Sequence, residues 1–305
     1  LIRIGSAGWS YPDWGGVVYP DGVGARFDPL KYIASFLDCI EINSSFYRIP
    51  SPERASSWIR RVFDREHFMF TAKLWRGFTH ESARLSAAEA RDAAADYRDF
   101  LAPLHEAGRL GAVLVQFPYS FHNTSRSRTL LDELAFKFES YPLVLEFRHD
   151  SWLDEGLLAS LRERDLGFCN IDQPGLSRNL PPTEHLTSGI GYVRLHGRNA
   201  PAWFDDKSGR DRRYDYLYST GELSAWVDRI ASLAAGARDV FVIANNHYRG
   251  KAVANALELK AVVEERLVEV PPDLLDAYPR LSAIAERASS KTPAAWPRQR
   301  LLPLS

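Results

Sequence analysis

The 305-residue sequence predicts an α/β fold, a single (β/α)8 barrel of the TIM type, on three observations. Short apolar runs rich in β-branched and aromatic residues recur along the chain, as buried parallel strands require. Amphipathic segments alternate with them, the pattern of a parallel sheet whose crossovers are helices. Polar residues gather at the C-terminal ends of the runs, where barrels of this kind carry their sites. A chain of this length fits one such barrel.

Strands are expected near 2–5 (IRIG), 39–43 (CIEIN), 67–74 (HFMFTAKL), 111–117 (GAVLVQF), 143–148 (LVLEFR), 167–172 (GFCNID), 191–197 (GYVRLHG) and 240–246 (VFVIANN). Helical patterns fall near 28–37, 52–63, 87–107, 126–139, 152–164, 219–235 and 250–267. Asp28-Pro29 and Ser51-Pro52-Glu53 place a capping residue before a proline at the first turn. Residues 173–190 hold Gly175 and the pair Pro181-Pro182 with little periodicity, so the sixth helix is expected to be short or absent. Residues 198–218 read as a long charged and aromatic loop, of the kind that forms lids or stays disordered. The barrel is assigned to 1–270, and 271–305 to a proline-containing extension with a helix near 272–287, packed on the barrel or trailing from it.

Composition narrows the class. The chain is 45% hydrophobic and 25% charged, with a net charge of −1, so no bulk field steers it toward nucleic acid or an anionic membrane. No run approaches the roughly 18 apolar residues of a membrane span. Cys39 and Cys169 form neither a disulfide framework nor a metal-ligand spacing and read as small buried hydrophobes. The chain enters Ile2-Arg3-Ile4-Gly5 directly, a strand pattern rather than a signal peptide. Its first residue, Leu1, is read as the mark of a trimmed start, and a cytoplasmic location is expected.

In a barrel strand, side chains alternate between the lumen and the helix layer, so polar residues at period two mark the inward face. Glu41 and Asn43, Lys73, Gln116, Glu146 and Arg148, Asn170 and Asp172, Arg194 and His196, and the run Asn245-Asn246-His247 carry this signal. Any one of them could belong to a structural ion pair; together they point to a pocket, because burying several charges without use is costly. Glu41, Glu146 and His196 are the acid–base candidates. Asn43, Lys73, Gln116, Arg148, Asp172, Arg194, Asn245, Asn246 and His247 are the polar binding candidates. Trp9, Tyr11, Trp14 and Trp152 are loop aromatics that could stack on a ligand, and Tyr47 is a further binding candidate.

A divalent metal at His196, His247 and the nearby carboxylates is possible but not favoured. Lys73, Arg148 and Arg194 share that space and would repel a cation, and no H-E-x-x-H motif is present. No cofactor is expected. The same cations favour an anion, and the helix start at Asn245-Asn246-His247-Tyr248-Arg249-Gly250-Lys251 adds backbone amides and basic side chains.

Several motifs give the chain a resemblance. Gly8-Trp9-Ser10-Tyr11-Pro12-Asp13-Trp14, Glu41-Ile42-Asn43-Ser44-Ser45-Phe46-Tyr47, Phe117-Pro118, Glu146-Phe147-Arg148-His149 with Ser151-Trp152, Val193-Arg194-Leu195-His196-Gly197 and Asn245-Asn246-His247 resemble the YecE-like family, domain of unknown function 72. The likeness runs from about residue 2 to about 258 and leaves the C-terminal extension outside. It implies a TIM-type barrel and carries over no reaction and no catalytic residue. The chain departs from the family pattern at Tyr119, where a second proline is usual, and at Ala244, where an aromatic residue often stands.

The leading expectation is a barrel enzyme, a hydrolase, isomerase or lyase, acting on a small anionic or phosphorylated metabolite. The alternatives are a metal-dependent phosphoesterase or nuclease, with Arg210, Arg212 and Arg213 as a basic loop, and a non-catalytic ligand sensor. Oligomeric state is left open.

Overall fold

The computed structural model describes residues 1–203 and 212–286. Its strands are β1 (Ile2–Ala7), β2 (Cys39–Ile42), β3 (Met69–Lys73), β4 (Leu110–Gln116), β5 (Leu143–Glu146), β6 (Gly167–Asp172), β7 (Ile190–Leu195) and β8 (Asp239–Ala244). They pair in chain order, all parallel, and β8 pairs with β1 to close the barrel. The α/β barrel predicted from the alternation is therefore the fold. β2, β4, β5, β6 and β7 are buried along their whole length, which is why they read as apolar runs without alternation.

The helices begin where the sequence signals them. Ser86 accepts a hydrogen bond from the Glu89 amide while the Glu89 carboxylate bonds back to the Ser86 amide, a capping box that starts the Ala87–Glu106 helix. Ser219 and Glu222 do the same for Thr220–Gly236. Asp28, Thr124 and Asp154 cap Pro29–Ile33, Ser125–Lys137 and Glu155–Glu163. Ser51 stands at the cap of Pro52–Arg61, but its side chain makes no capping bond. Among the described residues no helix is long and apolar enough to cross a membrane.

Between β6 and β7 no helix forms over residues 173–189. An irregular segment covers that part of the barrel wall, and its backbone groups need partners. Asn170 supplies them: its Nδ2 donates to the His185 carbonyl at 3.0 Å, and its Oδ1 accepts from the His185 amide and Thr183 Oγ1, each at 2.8 Å. Within the 198–218 segment, a short helix spans Ala200–Trp203; residues 204–211, with Arg210, lie outside the described residues. At the C-terminus a helix covers Pro272–Ala277 and a 3-10 turn follows over Pro279–Ala283. The helix is shorter than the sequence suggested because Pro279 interrupts it. Leu274 and Leu281 are fully buried against the barrel, and Val268 bridges to Ala285. Residues 287–305 lie outside the description.

Contacts between strands that are not neighbours must cross the lumen, and they define its contents. Near mid-height, the Tyr192 hydroxyl on β7 meets Thr71 Oγ1 on β3 at 2.8 Å and donates to Glu41 Oε2 on β2 at 3.0 Å. Gly5 faces an even tighter constraint, since a Cβ there would stand 1.9 Å from the Cys39 carbonyl oxygen. Gly5→Ala is expected to destabilise the barrel by about 2–3 kcal/mol or more, because a backbone atom cannot rotate aside. Gly221→Ala, where nothing lies within 4 Å, is expected to be neutral or slightly stabilising. Equilibrium urea unfolding of both variants checks the contrast.

Candidate functional site

Three strands bring charge to the upper lumen. On β7, alternation turns Tyr192 and Arg194 inward, with His196 following; on β2 it turns Glu41, and on β5 Glu146. Arg194 spans the lumen, its Nη2 donating to Glu41 Oε1 at 2.7 Å and its Nη1 to Glu146 Oε2. Arg148 Nε donates to the other Glu146 oxygen at 2.7 Å. Two carboxylates are thus matched by two guanidiniums, with Glu41, Glu146 and Arg194 all but sealed from solvent. Burial alone would raise the Glu146 carboxyl, but Arg194, Arg148 and His196 outweigh it and hold the group well below the usual carboxylate range.

His196 is fully buried. Burial, then the charge of Arg148, lowers its pKa to about 3, so it is a neutral imidazole. Asn245 Nδ2 lies 2.8 Å from its Nδ1. With Asn245 donating, the ring proton sits on Nε2, which faces Glu146 Oε1 at 3.3 Å.

Above this layer opens a cavity of about 460 Å³, a size that suits a small molecule. Its basic lining is Arg54, Arg61, Lys73, Arg148 and Arg194, and no carboxylate of the described residues lines it. Trp9, Tyr11, Phe46, Tyr47, Trp58 and Tyr214 supply aromatic walls. Tyr11 lies parallel to the His247 ring at 4.4 Å, and Trp9 meets Trp58 edge-on at 5.4 Å. Two buried polar atoms next to the cavity lack a hydrogen-bond partner, Arg194 Nε and Asn43 Oδ1, which leaves one donor and one acceptor there for a ligand.

Lys73, the last residue of β3, holds its ammonium 3.9 Å from the centre of the Phe46 ring. Two other lysines are paired, Lys251 with Asp215 and Lys260 with Asp38 and Glu264. Among the described residues no carboxylate lies within ion-pair distance of Lys73. Burial, then the charge of Arg194, lowers its pKa to about 7, with Glu146 and Glu41 opposing the shift.

The residues singled out in the sequence separate into three groups. Trp9, Tyr11, Asn43, Tyr47, Lys73, Arg148, Arg194, Asn245 and His247 line the cavity. Glu41, Glu146 and His196 lie beneath it, fully buried and engaged with one another or with Arg194; an acid–base pair at Glu41 and Glu146 has no direct path to a ligand in this arrangement. Gln116, also beneath, donates to the Phe117 carbonyl.

Trp152, Asp172 and Asn246 are elsewhere. Trp152 is fully buried, stacked on Phe147 at 4.3 Å and Phe121 at 5.2 Å, with its indole N–H on the Phe121 carbonyl. Asn246 donates to the Tyr216 carbonyl and Asn255 Oδ1, both at 2.8 Å. Asp172 points to the outer face of β6, where Arg198, the Tyr218 hydroxyl and the Trp226 indole all donate to it. Period-two polarity misleads on β6 because the polar face is the outer one; Cys169, 4.0 Å from Glu146 Oε2, faces the lumen.

Sequence reasoning missed Phe46, Arg54, Trp58 and Arg61. The last three sit at i, i+4 and i+7 on the Pro52–Arg61 helix, one face of it, and that spacing was the available signal. Among the described residues no three His, Cys, Asp or Glu side chains form a group suited to a metal ion. Arg194→Leu is expected to cost about 3–5 kcal/mol near neutral pH, since it strands buried carboxylates. The deficit should narrow in acid. Glu146 stabilises the wild-type protein above its unfolded pKa and loses that contribution as pH falls, while the stranded carboxylates of the variant are relieved by protonation. Urea unfolding as a function of pH measures both effects.

Comparison with known proteins places the chain among relatives. The family model described as "Protein of unknown function DUF72" matches residues 3–278, so the family region runs past the barrel into the segment expected to lie outside it. UPF0759 protein YunF of Bacillus subtilis is 26% identical over 288 residues, 91% of this chain and 100% of that protein. UPF0759 protein YecE of Escherichia coli K12 is 27% identical over 61% of this chain and 64% of its own length. Among solved structures, a DUF72 family protein from Thermotoga maritima superposes with a TM-score of 0.75 at 30% identity, covering 87% of this chain and 99% of that one. One from Enterococcus faecalis gives 0.76 at 27%, covering 87% and 96%. With a family model spanning most of its length and the same barrel in its solved relatives, this chain belongs to the DUF72 family.

Proposed function

We propose that the mouth of the barrel binds a small organic anion, a carboxylate or phosphate ester with a ring or planar portion, and that it is the site of an enzyme acting on that molecule. The observation that carries this reading is the asymmetry of the cavity wall: it is lined by Arg54, Arg61, Lys73, Arg148 and Arg194 and by no carboxylate of the described residues. Glu41 and Glu146 stand behind Arg194, and Asp28 behind Arg61, to which it is paired. The field inside the cavity is therefore positive although the chain as a whole carries a net charge of −1.

Roles follow from position. Arg54, whose guanidinium lies 5.9 Å from the Trp58 ring, and Arg148 hold the anionic group. Arg194 contributes its Nε–H and Asn43 its Oδ1, two buried polar atoms of the cavity lining without a hydrogen-bond partner among the described residues. Trp9, Tyr11, Phe46 and Trp58 pack against the ring portion. Glu146 and His196 act from below, fixing Arg148 and the local field rather than touching the ligand. The reading invokes no metal and no cofactor.

Isothermal titration with inorganic phosphate and with a nucleoside monophosphate tests the proposal. Both are expected to bind, more weakly as salt rises. Arg54→Gln and Arg148→Gln should each weaken binding about tenfold, the loss of a charge-assisted hydrogen bond. Absence of binding by both ligands at millimolar concentration overturns it. Binding of a substrate anion with no chemical change over hours makes the protein a sensor rather than an enzyme.

A further inference from the structure

The lumen uses its cations unequally. Arg194 and Arg148 are committed to Glu41 and Glu146. Lys73 is not: its amine projects into the cavity over the Phe46 ring, with no carboxylate of the described residues close enough to pair. The charged groups that act on it are Glu41 from β2, Glu146 and Arg148 from β5 and its following turn, and Arg194 from β7. His80, in the turn after β3, senses Lys73 in return and is itself pushed to about 4, by burial first. Arg54 and Arg61 complete the wall. An amine kept only to bind an anion gains from staying charged, whereas this one is desolvated and surrounded by guanidiniums, the conditions that make a lysine a nucleophile.

We propose that Lys73 is a catalytic nucleophile, whose amine condenses with the carbonyl group of the anionic ligand to form an imine. The inference rests on the anion-binding reading above and narrows its substrate to an aldehyde or ketone that carries a carboxylate or phosphate. The Nζ lone pair adds to the carbonyl carbon, and the C=O π pair moves to oxygen, which takes one amine proton. That oxygen then leaves as water with the second amine proton, closing the C=N bond. Nothing is oxidised or reduced, and water in the open cavity relays both protons. The imine withdraws electrons from the adjacent carbon, which suits carbon–carbon cleavage or proton abstraction there, lyase or isomerase chemistry.

Pyridoxal 5′-phosphate, an aromatic aldehyde bearing a phosphate, is the probe. The folded protein is incubated with it and sodium cyanoborohydride, which reduces imines to stable secondary amines, and peptide mass spectrometry locates the label. Near pH 7 an ordinary lysine is free base in only about one part in a few thousand, whereas Lys73 is about half deprotonated. Label is expected on Lys73 at least about tenfold faster than on Lys31 or Lys137, allowing for the lower intrinsic nucleophilicity of a less basic amine. Its pH profile should rise through about 7, and inorganic phosphate should slow it. Lys73→Arg should lose this label and keep the slow ones.

Label spread evenly over the lysines, or absent from Lys73, overturns the proposal. Two results separate it from the reading beneath it. If phosphate binds in an Arg54-dependent way and Lys73 stays unlabelled, the imine is wrong and the anion site stands. If neutral propionaldehyde labels Lys73 as fast as the anionic probe and phosphate gives no protection, the nucleophile stands and the anion site fails.

Discussion

A guanidinium spanning the lumen of the barrel organises everything above it. Arg194 reaches from β7 to Glu41 on β2 and to Glu146 on β5. Each of these ions, buried alone, would carry a desolvation cost of several kcal/mol. Held together, with Arg148 on the second oxygen of Glu146 and Tyr192 on the second of Glu41, they form a floor whose formal charges cancel. Replacing such a cluster with well-packed apolar residues is often no less stable, so stability alone does not explain its presence. What the cluster provides is a rigid floor that presents basic groups to the cavity and hides the carboxylates.

That floor changes the charge argument available from the sequence. Counting Lys73, Arg148 and Arg194 against Glu41, Glu146 and Asp172 suggests a pocket of mixed charge. In the folded chain Asp172 is turned outward and bound by Arg198, Tyr218 and Trp226, and the two glutamates are sealed beneath Arg194. Among the described residues the wall is left cationic, with Arg54 and Arg61 added from the Pro52–Arg61 helix. The cavity wall is therefore more strongly basic, among the described residues, than the residue count implied, and the two glutamates lie beneath it.

Asp172 and Asn170 show how a sound rule gave the wrong face. Polar residues at period two mark the lumen wherever an apolar helix covers the outer side of a strand. No helix follows β6, and the irregular 173–189 segment lies over it instead. Such a segment needs hydrogen-bond partners, and Asn170 supplies three of them. The missing sixth helix was legible from Gly175 and Pro181-Pro182; its effect on the polarity of the neighbouring strand face was not. Trp152 illustrates a simpler limit, since an aromatic residue in a loop stacks on a ligand or on its neighbours according to what folds beside it, here Phe121 and Phe147.

Strand order, helix starts and closure into a barrel were all written in the sequence, because each depends on local periodicity, capping chemistry and the handedness of βαβ crossovers. The ion pairs were not. Arg194 and Glu41 are 153 positions apart, and only closure of the barrel brings them within hydrogen-bonding distance. Which cation is matched by a carboxylate, and which is left to face a ligand, follows from distances across the lumen that no spacing along the chain encodes. The sequence by itself determined a barrel with charged residues at its mouth; the tertiary structure decided that Arg194 is committed to the floor while Lys73 stands in the cavity with no carboxylate partner among the described residues.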